Sequence, residues 1–236
     1  MMVDLICADS RRGHQAGDAP NCAAQTRREG IYLPINSFSE LNDLHKSVLQ
    51  EICNMGAGNT ATAVSQMIST PTDISTPQVK IIPPALAGKV ADALCKDGLA
   101  FLIRLHKDVT GALLFIFPCP FIERLANAFF PGTEVKSADE VDDMTASLVG
   151  ETVNLSAASY ANSISLLTGG MTVDISTPKG VKAPSADILS IVGEGSPAIC
   201  SVSNTIEITD CHYAYTALFY PELNSVRTIL DNLGMG

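Results

Sequence analysis

An α+β fold made of two similar halves is what this sequence predicts. Three features say so: a long helical pattern occurs twice, short strand-like runs follow each copy, and Pro and Gly separate the segments. The expected architecture is two long helices packed with antiparallel β-strands in a pseudo-twofold arrangement.

Residues 1–36 show no sustained periodicity and read as a disordered leader before one folded domain over 37–236. Its halves cover about 37–135 and 136–236. The first helix begins at Ser37-Phe38-Ser39-Glu40, which has capping-box spacing, and runs to about Ile68. Leu41, Leu44, Val48, Ile52 and Met55 recur at helical spacing and are expected to face the core. Strands are expected at 79–82, 100–105 and 111–117, then a short helix at 121–130 bounded by Pro120 and Pro131. The second long helix starts near 137–139 and runs to about Leu167, where Gly169-Gly170 ends it. Strands at 171–175, 188–192, 198–208 and 212–220 and a last helix at 223–233 complete the pattern.

Comparing the chain with itself sharpens the two-half reading. At an offset of 100, the pairs Asp43/Asp143, Ser47/Ser147, Glu51/Glu151, Asn54/Asn154, Ala57/Ala157, Ala61/Ala161 and Ser65/Ser165 are identical. Downstream, Asp73-Ile74-Ser75-Thr76-Pro77 recurs as Asp174-Ile175-Ser176-Thr177-Pro178. On a helical wheel the seven identities fall within roughly 120°, opposite the apolar stripe. Polar surface positions drift freely, so a Glu and an Asn kept twice on that face call for a reason other than folding. Gly56-Ala57-Gly58 would let something approach the backbone closely, either the other helix or a partner.

Composition removes several function classes. Hydrophobic residues make up 46% and charged residues 17% of the 236, as in a globular protein. The net charge of −10 argues against nucleic acid and against an anionic membrane surface. No apolar run is long enough to span a bilayer, and Asp4, Asp9, Arg11 and Arg12 interrupt any signal-peptide core, so the expected location is the cytoplasm. Seven cysteines without C-x-x-C spacing read as reduced and mostly buried thiols. Four scattered histidines argue against a metal site. Phosphate-loop, dinucleotide and nucleophile-elbow motifs are missing.

Residues three apart on a helix share a face. A carboxylate there can pair with a cation, and a carboxamide can donate and accept to hold a water in one orientation. Neither is a strong nucleophile. Glu51 with Asn54, and Glu151 with Asn154, suit a reaction whose electrophile and metal lie on another protein. Phosphoryl transfer fits, because positioning and electrostatics carry most of its catalysis.

Ser47-x-x-x-Glu51-x-x-Asn54, followed after 22 residues by Pro77, resembles the signature of the CheC/CheX/FliY phosphatases of bacterial chemotaxis. Ser147-x-x-x-Glu151-x-x-Asn154 repeats it with 23 residues before Pro178, and Ser156-Ala157-Ala158 replaces Gly-Ala-Gly. Two such motifs on one chain are the CheC pattern. The resemblance implies a CheC-like fold and acceleration of aspartyl-phosphate hydrolysis on a phosphorylated CheY-like response regulator. It gives Asn54 and Asn154 the attacking water to orient, and Glu51 and Glu151 a lysine of the receiver to pair with. No cofactor is expected on this chain, since Mg²⁺ would sit in the receiver. The resemblance also implies CheD or the flagellar switch as a possible partner, with a non-catalytic adaptor as the competing reading.

Overall fold

The structure, a computed structural model, describes residues 35–182, 184–192 and 197–235. The expected leader lies outside the described residues except for its last two. Of these, Ile35 is buried and its carbonyl accepts a hydrogen bond from Arg227 Nε.

One half contributes α1 (Asp43–Ile68), β1 (Thr72–Ile74), β2 (Gln78–Ile82), α2 (Pro84–Cys95), β3 (Gly98–Lys107), β4 (Gly111–Pro118) and α3 (Cys119–Asn127). The other contributes α4 (Asp143–Leu167), β5 (Val173–Ile175), β6 (Lys179–Val181), α5 (Pro184–Val192), β7 (Ile199–Ile208), β8 (Tyr213–Pro221) and α6 (Leu223–Asn232). The order of element types is the same in both. A 3-10 turn precedes each long helix, at Phe38–Glu40 and Ala138–Glu140.

All eight strands form one antiparallel sheet, ordered β1-β7-β8-β4-β3-β5, with β2 also on β7 and β6 also on β3. The two halves therefore exchange edges. β1 and β2 of the first half pair with β7 of the second, and β5 and β6 pair with β3 of the first. The register repeats as well. From Ile74 to Gln78 the chain takes four steps while β7 takes three, from Ile206 to Ser203. From Ile175 to Lys179 it again takes four against three, from Leu105 to Leu102. Each place holds one extra residue, a bulge.

The repeated Asp-Ile-Ser-Thr-Pro segment supplies that bulge. The Ser75 hydroxyl accepts from Thr205 N at 2.8 Å, and the Ser75 amide donates to Thr205 O at 3.0 Å. Ser176 does the same with Arg104, both at 2.9 Å. A serine here satisfies a strand amide that the bulge would otherwise leave without a ladder partner.

Helices cover both sheet faces. Leu113, Phe115 and Phe117 of β4 join the larger core with α1, α3, α4 and α6, while Ala112, Leu114 and Ile116 join α2 and α5. This alternation is the period-two geometry of a strand buried on both sides. Under the long helices Tyr215 stacks on Phe117, with centroids 4.4 Å apart, and meets Phe121 edge-on.

Three local expectations are corrected. The first helix is capped by Asn42, whose side chain accepts from His45 N at 2.9 Å, and not by Ser37, which precedes the 3-10 turn. Residues 188–192 belong to α5, not to a strand. Pro184 starts that helix, and Ile188 is buried in the cluster that contains Ala87 and Ala91 of α2. Helix α2 itself was not anticipated, because Ala87, Ala91 and Cys95 are buried while Leu86, Val90 and Leu94 remain exposed, so apolar residues surround the helix and blur its period.

Candidate functional site

Helices α1 and α4 pack antiparallel. A Cβ on Gly56 would sit 2.9 Å from Tyr160 Cγ, and further along Thr152 Oγ1 meets Met67 Sδ at 3.9 Å, so advancing along α1 means retreating along α4. Gly56 is thus explained by the other helix, whose tyrosine fills the space. Tyr160 is buried and its hydroxyl donates to Asn204 Oδ1 at 2.7 Å; burial raises the phenol well above its ordinary pKa, so it is un-ionised.

Glu51 and Asn54 are exposed on α1, and Glu151 and Asn154 are exposed at the corresponding positions of α4. Each pair shares a helix face, as the spacing requires. With the helices antiparallel and crossing as described, Asn54 and Asn154 lie on the order of 15 Å apart along the helix direction. The pairs are two separate sites, not one four-residue centre.

Among the described residues, none hydrogen-bonds or ion-pairs with the side chains of Glu51, Asn54, Glu151 or Asn154. Their polar neighbours behave differently. Ser47 Oγ bonds Asp43 O at 2.8 Å, Thr62 Oγ1 bonds Gly58 O at 2.9 Å, and Ser159 Oγ bonds Leu155 O at 2.9 Å. The hydroxyls turn back onto their own helix while the carboxylates and carboxamides stay open. No group of three His, Cys, Asp or Glu side chains among the described residues is placed to hold a metal ion.

The apolar stripe is the core face only in part: Leu41 and Ile52 are buried as expected, and Val48 packs at the edge of the core. Leu44 is 62% exposed, and Val48 and Met55 are half-buried; the core face runs through Leu49, Ile52, Cys53, Gly56, Thr60 and Val64. The second helix repeats the arrangement, with Met144 59% exposed and Leu148 and Leu155 half-buried. Each Glu–Asn pair therefore has an apolar flank beside it. Sequence reasoning missed this; the signal present was the apolar residue at both 44 and 144. The identical alanines were misplaced too. Ala57, Ala61, Ala157 and Ala161 are buried, because the face that is open around Glu51 and Asn54 closes further along the helix.

The two surroundings also differ beside the glutamate. Gln50 Nε2 donates to Pro77 O at 3.0 Å and ties the β1–β2 connection to α1, whereas position 150 is glycine.

Residues 44–81 match the sequence profile of the CheC-like family. That stretch holds nearly all of the first long helix, with Glu51 and Asn54, and it resembles the CheC-like family. The chain is 28% identical over 134 residues to the CheY-P phosphatase CheC of Bacillus subtilis, covering 56% of this chain and 63% of that one. It is 26% identical over 145 residues to the flagellar motor switch phosphatase FliY of the same organism, covering 61% of this chain and 37% of that one. The chain thus spans less than two thirds of these relatives. Among solved structures, Thermotoga maritima FliY superposes with a TM-score of 0.65 at 20% identity, covering 84% of this chain and all of that one. The FliM middle domain from H. pylori superposes at 0.59 with 16% identity, covering 81% of this chain and 99% of that one. These likenesses establish the fold: helices on an antiparallel sheet, as in CheC-like proteins.

Proposed function

We propose that this chain accelerates hydrolysis of the aspartyl phosphate on a CheY-like response regulator in chemotaxis. One observation carries the reading: an exposed Glu–Asn pair occurs twice, each without a partner among the described residues and flanked by apolar surface. A carboxamide with no bond to the described residues is available to a water, and a carboxylate likewise to a cation. The relatives' names, CheY-P phosphatase and flagellar motor switch phosphatase, agree with this.

In this mechanism one helix face docks on the receiver beside its phosphoaspartate. Asn54, or Asn154 on the other face, accepts and donates to the attacking water and aligns it with the phosphorus. Glu51 or Glu151 pairs with a lysine of the receiver and fixes the approach. A Mg²⁺ held by the receiver, and not by this chain, would supply the charge neutralisation that phosphoryl transfer needs. Positioning alone suffices, since little covalent chemistry is left for the chain to perform.

A second reading is an adaptor that binds the flagellar switch, or CheD, without hydrolysis; the name of the FliY relative favours the switch. The deciding measurement is loss of phosphate from a purified phosphorylated receiver. Asn54→Ala combined with Asn154→Ala is expected to remove the acceleration, with circular dichroism and melting unchanged. Acceleration that survives the double substitution would falsify the assignment, and binding without any acceleration in the unaltered chain would favour the adaptor.

A further inference from the structure

Every glycine inside a long helix has a cost relative to alanine, so each calls for a cause. Gly56 has one in Tyr160. Gly58 and Gly150 have none among the described residues: a Cβ built at either meets nothing within 4 Å there, and neither has a positive φ. Both lie beside a Glu–Asn pair. Gly58 is one turn beyond Asn54 and lines an open cleft of about 500 Å³ with Thr62, Asp73 and Ile74. Gly150 immediately precedes Glu151.

The counterparts are filled. Position 158 is alanine, opposite Gly58 in the repeat. Position 50 is glutamine, opposite Gly150, and its amide is fixed on Pro77 O. The first face is therefore bare after its Asn and closed before its Glu. The second is bare before its Glu and closed after its Asn.

We infer that the two Glu–Asn faces are not interchangeable: a docked receiver comes closest to the backbone at Gly58 on the first face and at Gly150 on the second. The inference rests on the proposed function, because the occupant is the receiver surface around its phosphoaspartate. It adds that the receiver leans toward the cleft on one face and toward the start of the helix on the other. The faces then differ in which receivers they fit best.

The test uses Gly58→Ala and Gly150→Ala. If nothing docks against these two glycines, alanine would raise the melting temperature by about 2–4 °C and leave docking alone. On the present inference the melting temperature still rises, while an added methyl in a close contact weakens docking on the order of tenfold. Single-face proteins separate the two: Asn154→Ala leaves the first face working and Asn54→Ala the second. Gly58→Ala should raise KM for the phosphorylated receiver only in the first background, and Gly150→Ala only in the second. Ala158→Gly should weaken neither. Affinity for a receiver carrying beryllofluoride on its aspartate is measured alongside. If hydrolysis is absent but this affinity falls with Gly58→Ala or Gly150→Ala, the catalytic reading fails and the docking geometry stands. Unchanged KM and unchanged affinity in both variants overturn the inference.

Discussion

Gly56 and Gly58 stand two residues apart in one motif and answer to different forces. Gly56 is held by packing: its missing Cβ would overlap Tyr160 both at Cγ, 2.9 Å away, and at Cα, 3.0 Å away, so the side chain cannot simply swing aside. Gly56→Ala is expected to destabilise the chain by about 1–3 kcal/mol through overpacking. Gly58→Ala should stabilise it, so two neighbouring glycine-to-alanine changes move chemical denaturation midpoints in opposite directions. Shifts of equal sign would show that Gly56 is not a packing residue. The buried thiols also answer to packing. Burial, with the nearby Cys200 second, raises the Cys53 thiol, and burial pushes Cys200 up to about 12. Both remain neutral thiols, and alkylation at pH 8 should reach them only after unfolding.

Among elements, the long helices present a face whose apolar residues are on the surface. An exposed Leu44 or Met144 adds nothing to the core, and surface substitutions away from special features usually stay within about 0.5 kcal/mol. Leu44→Ser with Met144→Ser should therefore leave melting nearly unchanged while weakening affinity for the phosphorylated receiver, since interface anchors are commonly apolar. Calorimetry and binding on the same sample check this, and equal affinity would remove the apolar flanks from the docking surface. The strand bulges belong to the same scale. Ser75→Ala and Ser176→Ala each remove a hydroxyl that accepts a neighbouring strand's amide, at an expected cost of about 0.5–1.5 kcal/mol. The two costs should add, because the serines lie on different strand pairs.

For the molecule as a whole, the exchange of edge strands makes each half depend on the other. Without β7, the strands β1 and β2 have no ladder; without β3, β5 and β6 have none. Isolated halves would expose those amides and the core face of β4. Chains cut near 135 are expected not to fold alone, and unfolding of residues 37–236 followed by circular dichroism and by Cys53 and Cys200 labelling should coincide. Separate transitions would show that the halves are independent.

The sequence by itself determined that two like halves exist and that Glu51, Asn54, Glu151 and Asn154 fall on repeated helix faces. Such facts follow from local period and self-similarity, which need no knowledge of what packs where. It also located the long strands, because β4 is apolar over its whole run and β7 sets Cys200, Val202, Ile206 and Ile208 at period two between polar residues. Tertiary structure alone decided which face of each helix is buried. Leu44 and Met55 read as core because they are apolar and periodic, yet burial depends on what lies opposite, and Leu44 stays 62% exposed while Met55 is only half-buried. The same holds for α5, whose residues 188–192 suit a strand locally but pack beside α2, and for the exchanged strand edges. The repeated Asp-Ile-Ser-Thr-Pro was visible from the start. That its serine bridges a bulge to the other half could not be read without the partner strand, since a hydrogen bond across 130 residues leaves no trace in local pattern.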